Sequence, residues 1–204
     1  MKISLSFPDC GTDVPYFNPD EHDPAHRHEY VDLRENPAAI DDLPEIVTCP
    51  AFRDYLLQIN GGQSIFRTFG CSYVFSASET HEVGPPIPPS TEPQTETYSA
   101  LASSYMHVAF AELDRCANRD DYYRLCGRLS QHLWSNPNYA ESDDGVEHFT
   151  VGIAFEWLRL VGEHKGTVLS IDCETTGFTD DEARENWIAL MADISGFLAA
   201  ENLA

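Results

Sequence analysis

Two clusters in this chain bring metal-ligating or proton-transferring residue types close together. The first is Asp20-Glu21-His22-Asp23-Pro24-Ala25-His26-Arg27-His28-Glu29. His26 and His28 stand two apart, so on an extended segment both imidazoles fall on one side, an arrangement suited to zinc or nickel. Pro24 excludes a helical pairing of His22 with His26, because proline inside a helix removes a donor and clashes with the preceding turn. The candidate metal ligands are therefore His22, His26 and His28, with zinc as the metal. The competing reading is a solvated surface loop, since nothing nearby in sequence closes a tetrahedral shell. No other cofactor is expected.

The second cluster is Ile171-Asp172-Cys173-Glu174-Thr175-Thr176-Gly177, a strand-like run carrying two carboxylates two residues apart. It resembles the first motif of the DEDD 3′–5′ exonuclease superfamily, whose Asp and Glu hold two metal ions that activate water and steady the leaving oxygen. That resemblance implies metal-dependent hydrolysis on Asp172 and Glu174. In the family, however, two further acidic motifs follow over a long stretch. Here only Phe178 to Ala204 follows, and Asp180, Asp181 and Asp193 do not reproduce that spacing. A strand ending in a polar turn is the plainer account.

Other chemistry finds less support. Cysteines stand at 10, 49, 71, 116, 126 and 173 with no C-x-x-C pair, which points to buried, reduced thiols. Cys71 lies in a strand pattern that predicts an inert thiol. There is no G-x-S-x-G elbow and no phosphate-cradling glycine loop. His107, His132 and His148 read as partly buried or exposed bystanders.

The elements that must carry these residues centre on Leu43 to Phe75. Pro50 in a first turn and Phe52, Tyr55, Leu56 and Ile59 at helical spacing predict a helix. Asn60-Gly61-Gly62 stops it, with glycine expected in the left-handed conformation that often ends helices. Ile65, Phe69, Cys71, Tyr73 and Phe75 then alternate as a strand with one buried face, Arg67 lying near its edge. Ile3, Leu5 and Phe7 alternate in a short first strand. Residues 84–97 hold a Pro-rich exposed loop. The pattern from Tyr98 to Ala117 reads as a helix, and Asp120 caps another carrying Tyr122, Leu125, Leu129 and Leu133. Val146 to Val161 is ambiguous, with length favouring helix after Ala154. Thr167 to Cys173 is a strand, and Thr179-Asp180-Asp181-Glu182 is a capping box opening the last helix. The expected architecture is one α+β domain spanning residues 1–204, a mostly antiparallel sheet packed against several helices, with strands near both chain ends.

The formal net charge of −22 comes with only 23% charged residues. Scarce lysine, more than abundant acid, produces the imbalance. Three readings compete: solubility or salt adaptation, an acidic surface for a basic protein partner, and mimicry of nucleic acid. Direct nucleic-acid binding is disfavoured on charge. No apolar run approaches the roughly 18–20 residues needed to span a bilayer. The segment MKISLSFPDC shows no apolar signal core, so a cytoplasmic location is expected.

Leu43-Pro44, the Phe52-Arg53-Asp54-Tyr55-Leu56-Leu57 helix and Asn60-Gly61-Gly62 together resemble the LP–helix–NGG signature of the SUKH superfamily. Gly166-Thr167-Val168-Leu169 and Ile194-Ser195-Gly196-Phe197-Leu198 are similar to that family's closing strand and helix. The block from Tyr98 to Trp134 and the Pro-rich insertion have no counterpart there. The resemblance implies an α+β fold without a catalytic role, and an immunity protein that neutralises a bacterial toxin. The functional expectation is a non-enzymatic acidic protein-binding module of that kind. Two alternatives remain: a metal-dependent hydrolase or nuclease using residues 20–29 or Asp172 and Glu174, and a structural or accessory subunit whose last helix packs on a neighbour.

Overall fold

A computed structural model describes residues 1–7, 11–14, 17–18, 28–77, 100–139, 148–160 and 165–201. Its strands, in chain order, are β1 (Lys2–Ser6), β2 (Gly11–Val14), the short β3 (Phe17–Asn18) and β4 (His28–Glu29), β5 (Phe66–Ser76), β6 (Ala100–Phe110), β7 (Phe149–Leu160) and β8 (Lys165–Gly177). Six of them form one sheet in the order β1-β7-β8-β6-β5, with β2 also on β7; β3 and β4 pair separately. The β5–β6, β6–β8 and β8–β7 ladders are antiparallel, whereas β1 and β2 run parallel to β7. The α+β class and the mostly antiparallel sheet are as the sequence predicts.

Period-two alternation assigns each central strand one core face. Met106 and Val108 on β6 face Ile171 and Leu169 on β8, and Val151 and Ile153 on β7 face Cys173 and Ile171. All are buried. Over this face lie α2 (Ala51–Asn60), α3 (Arg119–Ser135) and α4 (Asp180–Ala200), with the single-turn α1 (Pro44–Thr48) before them. Trp187 of α4 is the hub. Its ring sits 4.5 Å from Tyr73, 5.6 Å from Phe52 and 6.1 Å from Tyr55. Its Nε1 donates to Ser104 Oγ at 2.9 Å, satisfying the one polar atom the indole carries into the core.

Several predicted elements take a different form. Tyr98 to Ala117 is no helix: it contains the eleven-residue strand β6, then a 3-10 turn at Leu113–Ala117. The Leu101, Tyr105, Val108 spacing imitates a helical stripe, but Leu101 and Tyr105 lie on the opposite face from buried Ala102, Ser104 and Met106. Residues 149–160 stay extended as β7 instead of turning helical after Ala154. Tertiary pairing of β7 with β1, β2 and β8 overrides the local pattern there. Strands therefore also run through the middle of the chain, not only near its ends.

The Asn60-Gly61-Gly62 stop also works differently. Gly61 has φ −58° and ψ 151°, ordinary extended backbone. Arg34 instead holds the turn that follows the helix. Its Nη1 donates to the carbonyls of Ser64 at 2.8 Å and Phe66 at 3.0 Å, with longer bonds to Gly61 and, through Nη2, Gly62. Asn60 turns inward, bonding Leu56 O and Thr68 Oγ1 and accepting from Thr68 N. The cap of α3 is Asn118, which accepts from Asp120 N, so the predicted cap lies two residues late. Thr179 does open α4, accepting from Glu182 N at 3.1 Å while Glu182 accepts from Phe178 N at 2.9 Å. The Pro-rich segment 84–97 lies outside the described residues.

Candidate functional site on the open sheet face

Alternation that buries one face of β6, β7 and β8 sends their intervening side chains to the other. Tyr105 and His107 of β6 therefore stand beside Asp172 and Ser170 of β8, and Glu174 of β8 beside Ser103. Across β8, Gly152 opposes Asp172 and Thr150 opposes Glu174. The floor beneath them is small: a Cβ on Gly152 would lie 3.4 Å from Asp172 Cβ and 3.7 Å from Ser4 Oγ. That low floor leaves Asp172, Glu174 and Tyr105 exposed above it, Tyr105 at 38%.

The face closes towards one end. Tyr30 stacks on Phe69 at 5.6 Å and Asp32 pairs with Arg67 at 3.0 Å, covering part of β5. The 3-10 turn brings Cys116 hard against Gly166, where a Cβ would come within 2.6 Å of it. At the boundary between the closed and open parts, His107 Nε2 reaches across β8 to Glu156 Oε2 at 3.8 Å. The Tyr105 and His107 rings lie 5.2 Å apart, and Ser170 Oγ donates to Asp172 Oδ2 at 3.4 Å.

Burial sets the protonation of this group. Exposed as it is, Asp172 is still partly desolvated against the sheet, which pushes its carboxyl above the usual carboxylate value; Glu156 adds to the push while Ser170 and His107 oppose it. Burial also holds His107 below 6.5, against the pull of Glu156 and Asp172, which would favour the imidazolium. Tyr105 is raised, first by burial and then by neighbouring acids. A histidine held toward its neutral form beside Asp172, Glu174 and Glu156 leaves the patch electronegative, with Tyr105 as an aromatic wall.

Catalytic alternatives find weaker geometry. Ser170 spends its hydroxyl on Asp172, and the His107 contact runs to Glu156. Among the described residues no three His, Cys, Asp or Glu side chains are grouped to hold a metal ion. His22 and His26 lie outside the described residues, and His28 is placed by its backbone in β4. The Cys71 thiol is pushed up to about 12, chiefly by burial, which disfavours the nucleophilic thiolate. His132 is engaged elsewhere, meeting Asp193 Oδ1 at 2.6 Å between α3 and α4.

Of the sequence candidates, then, Asp172 and Glu174 reach this face together. His107 and Glu156 were hidden, because reading β6 and the second half of β7 as helical separates them from β8. No family model, curated protein or solved structure matches this chain. Among the described residues no helix is long and apolar enough to cross a membrane.

Proposed function

We propose that this chain is a non-enzymatic protein-binding module, acting in the cytoplasm as an immunity-type protein that captures and neutralises a basic toxin on its open sheet face. The observation that carries the reading is the placement of Asp172 and Glu174 beside exposed Tyr105 on a face that the described helices leave uncovered. A net charge of −22 supports it, since complementary potentials speed encounter with a cationic protein and fix its orientation. The LP–helix–NGG resemblance points the same way.

The test is capture from the native host with the wild-type chain and with an Asp172→Asn/Glu174→Gln variant as baits. The wild type is expected to retain a basic protein whose toxicity it suppresses on co-expression. Affinity is expected to fall steeply with added salt and by about tenfold or more in the variant, as for a desolvated charge pair. Equal retention by both baits, or no specific partner on either, overturns the reading.

A further inference from the structure

The sheet has a second feature that the acidic face does not absorb. β1 ends the strand order, and among the described residues its outer edge pairs with nothing. Soluble proteins usually blunt such an edge with charges, proline or a bulge, because unpaired N–H and C=O groups template further strands. This edge carries only Lys2. Leu5 is 54% exposed and Phe7, just beyond the strand, 64%. Phe7 already stacks flat on Phe155 at 4.9 Å and lies 6.2 Å from Tyr123. Trp157, next along β7, is exposed as well, with the Arg119 guanidinium 3.8 Å from its ring.

We propose that the β1 edge is a self-association surface, on which a second copy of this chain adds its own β1 antiparallel across a two-fold axis at Ser4. Charge argues for this occupant. The chain holds 34 acidic residues against 12 lysines and arginines, yet residues 1–7 contain no acid. Two protomers each at −22 repel, and a strand that carries no carboxylate of its own, with Asp172 two strands further in, is where that repulsion costs least. A basic foreign protein is drawn instead to the acidic face, and Lys2 repels it here.

The strand is also its own complement. Pairing about Ser4 sets Ile3 opposite Leu5 of the second copy and Lys2 opposite Ser6, so apolar meets apolar on one face and polar meets polar on the other. Phe7 then extends over the start of the neighbouring strand and loses its exposure. Such an isologous contact closes on itself and extends the sheet without generating a fibre.

Repulsion between the acidic bodies gives the association a distinctive sign. Screening length falls from about 30 Å at 0.01 M salt to about 8 Å at 0.15 M, so dimerisation strengthens as salt is added. Binding of a basic partner weakens under the same change. The opposite salt responses therefore make failure of one contact distinguishable from failure of the other.

Sedimentation equilibrium of the full chain across a concentration series, at low and moderate salt, reads the outcome. A monomer–dimer equilibrium is expected, several-fold tighter at the higher salt. Leu5→Asp is expected to weaken it about tenfold or more, with circular dichroism and thermal midpoint confirming a folded monomer. Because Ser4 faces itself across the axis, Ser4→Cys is expected to cross-link to a dimer when diamide oxidises the two thiols to one disulfide. A wild-type chain that stays monomeric at every concentration and salt overturns the proposal. So does a dimer that survives Leu5→Asp or gives no Ser4→Cys cross-link.

Discussion

His107 and Glu156 meet at 3.8 Å although they belong to strands that are not neighbours, reaching over β8 from β6 and β7. Both side chains are less than a fifth exposed, at 18% and 16%. Small residues on the strand between them, Ser170 in particular, make that reach possible. The contact marks where the sheet face passes from covered to open.

His107 should make stability depend on pH. Burial lowers its pKa below 6.5 in the fold, so as pH falls the unfolded chain takes up the proton first. Stability is then lost progressively below the unfolded value, and loss is complete below the folded one. One proton sets the limit at about 1.4 kcal/mol per pH unit. Urea unfolding between about pH 7.5 and pH 5.5 is expected to show this slope in wild type and a flatter one in His107→Gln, the pH range being that over which histidine titrates.

Asp172 carries the opposite sign. Its folded pKa is raised, chiefly by burial, so its contribution is favourable below the usual carboxylate value and is lost as pH rises through the folded value. At neutral pH the charged carboxylate is held at some cost to the fold. Asp172→Asn is expected to leave stability unchanged or raise it by a few tenths of a kcal/mol, while weakening capture of the basic partner. Denaturation midpoint and binding affinity, measured on the same protein, separate a binding residue from a structural one. A large loss of stability would make it structural.

The sequence made α2, the β5 strand, the α3 stripe and the capped α4 readable because each carries its own period and punctuation. β6 does not. Its core-facing positions Ala102 and Ser104 are small because Trp187 fills the space above them, its Nε1 on Ser104 Oγ. With small residues inside and Leu101 and Tyr105 outside, the expected hydrophobic alternation disappears. β7 loses its alternation after Ile153, since Ala154, Phe155 and Leu158 are all buried. Asp172 and Glu174, which sit on one strand, stand out in the sequence, but as carboxylates for metal chemistry and not as a surface for a partner. His107 and Glu156 depend on long-range pairing, which no local pattern encodes.

Arg34 and Gly62 test how the turn after α2 is held. Gly61 is not left-handed, and a Cβ on Gly62 would meet nothing within 4 Å. Gly62→Ala is therefore expected to be neutral or slightly stabilising, where a left-handed glycine would cost roughly 1 kcal/mol. Arg34→Ala removes the donor shared by four carbonyls and is expected to cost about 1–3 kcal/mol. Lysine offers a point charge without the planar fork, so Arg34→Lys should recover only part of it. Equilibrium unfolding of the three variants ranks them directly.

Asp193 ties the two long helices together and gives a separate acid-side prediction. It accepts from His132 Nε2 at 2.6 Å and from Asn136 Nδ2 at 2.9 Å, both at the end of α3. Burial pushes its carboxyl upward, but these donors together outweigh that and hold it below 3.8. Because the folded pKa is depressed, the stabilisation is fully present above the unfolded value and is lost as pH falls through the folded one. Asp193→Asn preserves shape, yet it replaces an acceptor by a donor facing His132 and Asn136. It is expected to cost about 1–3 kcal/mol at neutral pH, the penalty for hydrogen-bond partners left unsatisfied. As pH falls below the carboxylate range, the wild type loses this advantage and the gap between the two proteins should narrow. Parallel urea titrations at neutral and strongly acidic pH measure both values. An unchanged gap would mean that the α3–α4 contact is held by packing, such as His132 against Phe197 at 5.1 Å, and not by the carboxylate.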